Sequence, residues 1–458
     1  MKIILLSLSL IWGGSSFCTA QLLEASQLQK AKLYTSLEEA LKNPTKVYRL
    51  NLAKMNYRSC PKEVFQLKNL QALDLSQNQI RELPREIAQL RYLQELRLDR
   101  NRLSTLPEEL SQLRHLRILY LSQNFFEKLP ADLFELTDLE ELRIARTFIR
   151  KLPAGISQLT SLNTLDASYC LLNRLPTEDL SKLTALRKFS IYQNGMKELD
   201  KGILELRNLT HLNVGGNLLH RLPEGIGNLI NLVELNVSGN RLPGLPIEIE
   251  KFQKLKTLDA SHNPITQLPV ALAQLHQLKV VHLDKTHLSQ LPDNLGNLKN
   301  LEILTVARAQ LEELPSSLGQ LSKLRLLNIE HNRLLTLPDN LMQLTTLEQL
   351  YLGYNPITEL PAQIVQLKKM KRLGLNDTAI KDLPQPYHQL SYIKFIDLRG
   401  TLLDEKTQKA IKKELPNTRF DFKFRPNLRS KPVDSTSART TPIDNPSRTP
   451  QSTPTQSE

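Results

Sequence analysis

The chain has 458 residues, of which 40% are hydrophobic and only 5% are aromatic, and it carries a formal net charge of +13. The composition is that of a globular protein, and the positive charge permits nucleic acid or an anionic surface as a partner. No nucleic-acid-reading motif accompanies this charge, so specific nucleic-acid binding is not expected.

Residues 1–20 are predicted to be a secretory signal peptide. Lys2 is a short positive region, Ile3–Trp12 is an apolar run, and Cys18-Thr19-Ala20 is a small-residue cleavage site. The run is too short to span a bilayer, and no other stretch could cross a membrane. The alternatives are an N-terminal anchor and lipidation at Cys18. We therefore expect a secreted, periplasmic or cell-surface protein, with a cytoplasmic location as the alternative.

Residues 21–46 differ from the rest of the chain and are predicted to form an N-terminal cap. Ser36-Leu37-Glu38-Glu39 is a capping box that begins a helix, and Pro44 follows the end of that helix. The end of a stacked array exposes its apolar core, so a cap has a structural role there.

Residues 47–403 repeat the 23-residue pattern L-x-x-L-x-L-x-x-N-x-L-x-x-L-P-x-x-I-x-x-L-x-x-L. The L-x-L segment predicts a short strand with its leucines inward, and the segment after L-P predicts a 3₁₀ or irregular return turn. The pattern yields sixteen coils, numbered 1 to 16, with strand positions at residues 50, 73, 96, 119, 142, 165, 189, 212, 235, 258, 281, 304, 327, 350, 373 and 396. Because nearly every apolar residue is used in stacking coils, the repeat predicts a binding surface instead of a catalytic cavity.

Several coils depart from the pattern. The asparagine is expected to bond backbone groups and to form a ladder from coil to coil. Alanine cannot do so, and coil 12 is therefore predicted to be weak at Ala309. Coil 6 is one residue longer, and coil 7 has Asp200 where proline is expected, which predicts a bulge or a change of curvature near residues 176–200. Asparagine is replaced at Met55, Thr147, Cys170, Thr286, Ala309, Thr378 and Thr401.

Only two cysteines, Cys60 and Cys170, follow the predicted cleavage site. They lie five coils apart, which is roughly 24 Å at ~4.8 Å per stacked strand. A disulfide needs Cα atoms within about 7 Å of each other. Both side chains are therefore predicted to be buried free thiols.

The repeat ends at residue 404. Lys406–Leu415 is a helix candidate and Arg419–Lys423 alternates like a last strand, so residues 404–423 are predicted to form a C-terminal cap. Residues 424–458 are rich in Ser, Thr and Pro, and a disordered tail is predicted there.

Partner contacts are expected at the variable outward positions of the strands. Val280, Ile303 and Leu326 occupy one outward column in three consecutive coils, which predicts an apolar stripe where most coils carry polar residues. Apolar and aromatic side chains with a polar rim are typical of a binding hot spot, although neighbours could cover such a stripe and make it neutral. The side chains expected around it are His262, His282, His331, Tyr351 and Tyr354.

A second candidate is charged and would suit an acidic partner or an anionic glycan. Glu95 and Glu141 lie nearby, so a self-neutralising face is the alternative. The members of this arginine–tyrosine patch are Arg97, Asp99, Arg100, Tyr120, Arg143 and Arg146.

Catalysis is not expected. His262, His282, Asp259 and Asp284 could approach one another, as a metal or acid–base site requires, but a concave sheet leaves such groups solvated. The chain has no H-E-x-x-H, G-x-S-x-G, glycine-rich phosphate loop or C-x-x-C pair. We therefore expect no catalytic, cofactor-binding or metal-binding residues.

The repeat resembles the leucine-rich repeat superfamily, and its 23-residue L-P form is similar to the class shared by Ras-suppressor-like and many bacterial proteins. The resemblance covers about residues 47–403. It implies an α/β fold, a curved right-handed solenoid with a parallel concave sheet, an irregular or 3₁₀ convex side, and about sixteen coils between two caps. It also implies protein binding on the concave face.

The sequence thus predicts an exported, non-catalytic recognition protein that binds a protein partner on coils 10 to 14. The alternatives are a glycan or cell-wall binder that uses the arginine–tyrosine patch, and a cytoplasmic signalling scaffold of the Ras-suppressor-like type. The scaffold requires an uncleaved N-terminus.

Overall fold

A computed structural model describes residues 22–422 as an open solenoid with one parallel sheet of eighteen strands. Each strand pairs in parallel with the strands that precede and follow it in the sequence, as β1 does with β2 and β17 with β18. The strands are β1 Leu33–Tyr34, β2 Arg49–Asn51, β3 Ala72–Asp74, β4 Glu95–Arg97, β5 Ile118–Tyr120, β6 Glu141–Arg143, β7 Thr164–Asp166, β8 Lys188–Ser190, β9 His211–Asn213, β10 Glu234–Asn236, β11 Thr257–Asp259, β12 Val280–His282, β13 Ile303–Thr305, β14 Leu326–Asn328, β15 Gln349–Tyr351, β16 Arg372–Gly374, β17 Phe395–Asp397 and β18 Arg419–Asp421.

The periodicity predicted the strands correctly: the central residues of β2 to β17 are the sixteen positions counted from the sequence. These central side chains point into the core, and Leu258 and Leu304, for example, are fully buried. Because side chains alternate along a strand, the first and third strand residues lie on the concave face. The register is constant, so these residues form columns that cross the sheet, such as Val280, Ile303 and Leu326.

The convex side consists of short 3₁₀ helices, as predicted, and most of them follow a proline that fixes the backbone at their start. Coil 7 uses Asp200 instead, whose side chain accepts a hydrogen bond from the amide of Gly202 at 3.0 Å. The 3₁₀ helices are Pro44–Lys46, Lys62–Gln66, Arg85–Gln89, Glu108–Gln112, Ala131–Glu135, Ala154–Gln158, Lys201–Glu205, Ile226–Asn228, Ile247–Lys251, Val270–Gln274, Leu295–Asn297, Ser316–Gln320, Asp339–Gln343, Ala362–Gln366 and Tyr387–Leu390.

The extra residue of coil 6 is taken up locally by an α-helical turn, within the region where a bulge was predicted. Helix α3 (Thr177–Leu180) replaces the usual 3₁₀ helix, and the Leu180 amide bonds the Pro176 carbonyl four residues back, at 2.9 Å. In coil 5 the corresponding bond, from Ile156 to Pro153, spans three residues. An α-turn contains more residues than a 3₁₀ turn, so the added residue leaves the strand register intact.

The asparagine ladder is present. In coil 9 the buried Asn240 side chain donates to the carbonyls of Val214 and Val237 at 3.1 and 2.9 Å, and it accepts from the Leu219 amide at 3.0 Å. Threonine preserves part of the pattern, since Thr286 donates to Leu283 at 2.9 Å. At Ala309 the methyl group supplies no such bond, which is the physical basis of the weakness predicted for coil 12.

A second column accompanies this ladder, at the residue before each asparagine position. All sixteen of its residues have positive φ, in the left-handed region that favours glycine. Only Gly216, Gly239 and Gly400 are glycines there. The others are Lys54, Gln77, Arg100, Gln123, Arg146, Tyr169, Gln193, His262, Lys285, Arg308, His331, Tyr354 and Asp377.

Helices close both ends of the core. Helix α1 (Ala25–Lys30) and helix α2 (Leu37–Leu41) precede coil 1, and the Ser36 side chain accepts from the Glu39 amide at 3.3 Å, as the capping box predicts. Helix α4 (Glu405–Glu414) follows coil 16 and buries Ile411. The predicted signal peptide and the predicted tail lie outside the described residues.

Cys60 and Cys170 are buried free thiols, as predicted. Burial raises the pKa of the Cys60 thiol to about 12 and raises the pKa of Cys170 as well. Since the thiolate is the reactive form, both cysteines are inert at neutral pH. Within residues 22–422, none of the helices has the length and apolar character that a membrane span needs.

Candidate recognition surface on the concave face

The apolar column of Val280, Ile303 and Leu326 lies where the sequence placed it. The three residues pair in register on β12, β13 and β14, so their side chains form a continuous strip across three strands. Each of them is half-buried, which means that neighbouring side chains cover part of the strip. Thr257 precedes the strip and Gln349 follows it in the same column, so its apolar character ends within three coils.

Ion pairs border the apolar column on one side. Lys279 pairs with Glu302 at 3.0 Å, and Glu348 pairs with both Arg325 and Lys371 at 2.8 and 2.6 Å. Hydrogen bonds from Lys371 and Arg325 lower the pKa of Glu348 to about 2. Lys279 and Arg325 directly precede Val280 and Leu326 in the sequence, and Lys371 lies two coils beyond Leu326. The strip therefore has a charged rim of both signs along this side.

A hydrogen-bond network borders the other side of the column. His282 Nδ1 lies 3.0 Å from the Thr305 hydroxyl, which donates to Asp284 Oδ2 at 2.6 Å. Asp284 Oδ1 also accepts from the Ala307 amide at 2.7 Å. These bonds orient the imidazole on the concave face, beside Val280 on the same strand.

The other predicted residues divide between the strip and the edge of the sheet. Tyr351 lies on β15, diagonal to Leu326, and its hydroxyl donates to Gln349 Oε1 at 2.8 Å. His331 and Tyr354 stack at the edge, with ring centroids 3.8 Å apart and planes 8° from parallel. Burial and the nearby Arg308 lower the pKa of His331, so the stacked ring is neutral at pH 7.

His262 lies at the same edge in coil 10, and its backbone amide donates to the Asp284 carbonyl at 2.7 Å. Its side chain is exposed. The structure therefore brings His282 and Tyr351 to the apolar column and places His262, His331 and Tyr354 along the left-handed column.

Two arginines of the arginine–tyrosine patch are neutralised by glutamates on their own strands. Arg97 pairs with Glu95, and Arg143 pairs with Glu141 at 2.7 Å, each within one strand. The two guanidinium carbons lie 5.0 and 4.5 Å from the centroid of the Tyr120 ring. The cations and the aromatic face thus satisfy one another. This arrangement does not favour the glycan hypothesis.

A central cleft in coils 5 to 11 was not anticipated from the sequence. It is a hollow of about 490 Å³ lined by concave residues from Arg143 to His282. Four of its side chains, Asp166, Asn213, Asn236 and Asp259, each accept a bond from the amide two residues on, at 2.9 to 3.1 Å. Such a bond uses one oxygen, so the second oxygen or the amide nitrogen of each group can bond a ligand.

Small residues lie beside the cleft, towards the edge of the sheet. Gly215 and Gly216 in coil 8, and Gly239 in coil 9, stand where neighbouring coils carry Tyr192, Gln193 and His262. A Cβ atom on Gly215 would lie 2.8 Å from Asn236 Oδ1 and 3.0 Å from the Tyr192 ring, so a larger residue would fill this space. Consecutive glycines in one coil were the sequence signal that could have indicated it.

No group of three or more His, Cys, Asp or Glu side chains in residues 22–422 is arranged to hold a metal ion. Asp284 is held by Thr305 and Ala307, and His282 by Thr305, so these groups serve the network described above.

Models of three repeat families match the sequence. A leucine-rich repeat region model matches residues 90–198 and 271–355, and two leucine-rich repeat models match residues 45–103 and 254–275. No curated protein matches the sequence significantly.

Solved structures of repeat proteins are similar over most of the chain. A leucine-rich repeat protein of Leptospira interrogans is 34% identical with a TM-score of 0.82, and the match covers 85% of this chain and 100% of that one. The plant peptide hormone receptor RGFR1, in complex with RGF2, is 28% identical with a TM-score of 0.66, over 81% of this chain and 62% of the receptor. The functional domain of InlJ from Listeria monocytogenes shares the fold, at 24% identity and a TM-score of 0.63, over 75% of this chain and 71% of that one.

Proposed function

Because this chain belongs to the leucine-rich repeat family, we propose that it is an exported, non-catalytic recognition module that binds a protein partner through its concave face. The single observation that carries the proposal is the apolar column of Val280, Ile303 and Leu326, with ion pairs along one side and a hydrogen-bond network along the other. An apolar centre with a polar rim is the composition of a protein-binding hot spot.

The central cleft extends this surface. Val280 and His282 are on one strand, and His282 also lines the cleft, so the apolar column begins where the cleft ends. An extended segment of a partner could bond the polar groups of the cleft and place apolar side chains on the column. The plant peptide hormone receptor RGFR1, which has a similar fold, is in complex with RGF2, and this supports a peptide segment as the ligand here.

The double variant Ile303→Asp/Leu326→Asp should abolish partner capture while the solenoid stays folded. Two carboxylates in the centre of the strip must lose their hydration when the partner binds. The free energy of this desolvation exceeds the favourable free energy of the apolar contact. Affinity should fall by at least about a hundredfold, a loss typical of two central hot-spot residues. The measurement is calorimetry or surface plasmon resonance with the partner captured by the wild-type chain.

Ile118→Asp provides the matched control. Ile118 is the half-buried residue at the same column position in coil 4, so its substitution imposes a similar strain on the sheet outside the proposed surface. Wild-type affinity in this control, with every variant folded at the temperature of the binding measurement, is the expected result. Equal binding by the wild type and the double variant would show that the apolar column is not the partner site.

Export is the second part of the proposal and rests on the sequence of residues 1–20. Mass spectrometry of the native N-terminus should find a chain that begins at Gln21, recovered from the secreted, periplasmic or cell-surface fraction. An intact Met1 in a cytoplasmic chain would contradict export and would favour the cytoplasmic scaffold.

A further inference from the structure

Three large apolar side chains project into solvent from one edge of coils 4 to 6. The exposed fractions of Phe125, Phe148 and Leu171 are 51%, 49% and 44%. They occupy the position directly after the asparagine position in successive coils, and the two phenyl rings stack with centroids 6.2 Å apart. We call these three residues the edge ridge.

The backbone fixes the ridge in this outward orientation. The Phe148 amide donates to the Phe126 carbonyl at 2.8 Å, and the Leu171 amide donates to the Ile149 carbonyl at 3.0 Å. The next residues along the chain, Phe126, Ile149 and Leu172, are fully buried in the core. Since consecutive residues point to opposite sides, the ridge cannot turn inward without loss of the core residues beside it.

Cations surround the edge ridge. Glu127 is the one acidic residue within four positions of a ridge residue in the sequence. Within the described part of the chain, none of the neighbouring cations forms an ion pair with a carboxylate; Arg146 instead lies 4.0 Å from the centroid of the Tyr169 ring. These exposed cations are Arg102, Lys128, Arg146, Arg150, Lys151 and Arg174.

We propose that this edge docks on the surface of a lipid bilayer that contains anionic phospholipids. The ridge side chains enter the interface between headgroups and acyl chains, and the cations bind headgroup phosphates. Aromatic and aliphatic side chains flanked by unpaired Lys and Arg are the combination that such an interface attracts, by apolar burial and by charge together.

Charge decides between this occupant and a second copy of the chain. Two copies joined at this edge would bring twelve cations together with only two carboxylates from Glu127 to offset them, and like charges placed opposite one another disfavour an interface. A bilayer surface offers phosphates in excess. It also adapts to a projecting ridge, whereas a protein partner would need a groove of matching shape.

The docking edge is distinct from the concave recognition surface. The edge ridge belongs to coils 4 to 6, while the apolar column belongs to coils 11 to 13. A membrane contact at this edge therefore leaves the concave face open, and the two proposals can fail independently.

The test is flotation with vesicles. The chain from Gln21 is used, because residues 3–12 are themselves apolar and both caps and the continuous core lie within residues 22–422. The wild-type chain should float with vesicles that contain equal amounts of phosphatidylglycerol and phosphatidylcholine, and it should not float with vesicles of phosphatidylcholine alone.

The variant Phe148→Ser/Leu171→Ser should bind the anionic vesicles at least about tenfold more weakly than the wild type. The variant Arg150→Gln/Lys151→Gln should bind them with a weaker dependence on salt concentration.

Ile247→Ser/Val270→Ser is the matched control. These residues are 64% and 65% exposed in adjacent coils on the convex side, and their loss should leave vesicle binding unchanged. The proposal is overturned if the wild type does not bind anionic vesicles, or if Phe148→Ser/Leu171→Ser binds them as strongly as the wild type does. It is also overturned if sedimentation shows a wild-type dimer that the ridge variant dissociates. Circular dichroism confirms that each variant is folded.

Discussion

Replacement of Asn217 by alanine should lower the free energy of unfolding by about 3 kcal/mol, because one buried amide loses its partner and two buried carbonyls each lose a bond. The Asn217 side chain is only 3% exposed. It donates to the carbonyls of Ile191 and Val214 at 3.0 and 2.9 Å, and it accepts from the Met196 amide at 3.2 Å. Alanine leaves the buried Met196 amide without a partner and removes one asparagine bond from each carbonyl, to which Asn194 and Asn240 still donate. Chemical denaturation followed by circular dichroism measures the loss.

Asn213→Ala is the control, in the same coil. Asn213 lies on the concave face and accepts one bond, from the Gly215 amide at 3.1 Å, so its loss should cost less than about 1 kcal/mol. The reverse change, Ala309→Asn, supplies the missing member of the ladder in coil 12 and should raise stability by about 1 kcal/mol. Equal losses at positions 213 and 217 would show that the ladder does not hold the coils together.

Replacement of Gly319 by alanine should destabilise the protein by about 3 kcal/mol or more, because the site is overpacked against a rigid neighbour. A Cβ atom there would overlap the carbonyl oxygen of Asn340 in the next coil and lie 2.7 Å from its carbonyl carbon. The obstacle is backbone, so the two coils must move apart. The melting temperature and the denaturation midpoint should both fall.

Gly244→Ala tests whether the close approach, and not the loss of glycine itself, is the cause. The nearest atom to a Cβ on Gly244 is the Gln267 carbonyl oxygen at 3.8 Å, an ordinary contact. Alanine there should leave stability within about 1 kcal/mol of the wild type, since it also restricts the unfolded chain. A wild-type melting temperature for Gly319→Ala would contradict the close approach between coils.

The fold could be predicted from the sequence because its core positions recur at a fixed spacing. A leucine such as Leu258 has one role, burial between two identical neighbours, and the sequence alone specifies that role. The asparagine was predictable for the same reason. Coil 6 was predictable only in part: its added residue was visible, but its conversion to an α-helical turn depends on bonds that the spacing does not specify.

The surface was less predictable because the environment of each side chain depends on residues in the same strand, in the neighbouring strands and in the adjacent columns of the sheet. Val280, Ile303 and Leu326 were identified from their shared column, but the ion pairs that border them come from an adjacent column. The edge ridge was not predicted, although Phe125, Phe148 and Leu171 have the spacing of the repeat, because these positions lie outside the strands on which partner contacts were expected. The ion pairs of Arg97 with Glu95 and of Arg143 with Glu141, in contrast, were among the alternatives predicted from the sequence.

The left-handed column has a consequence for how such a protein changes over time. Its sixteen positions share one backbone geometry and already accept residues as different as Gly216, Tyr169 and Arg308. The side chains stand at the edge of the sheet, above a core that they do not form. New specificity can therefore arise by single substitutions at one register, coil by coil, with no accompanying change in the leucines that hold the array together.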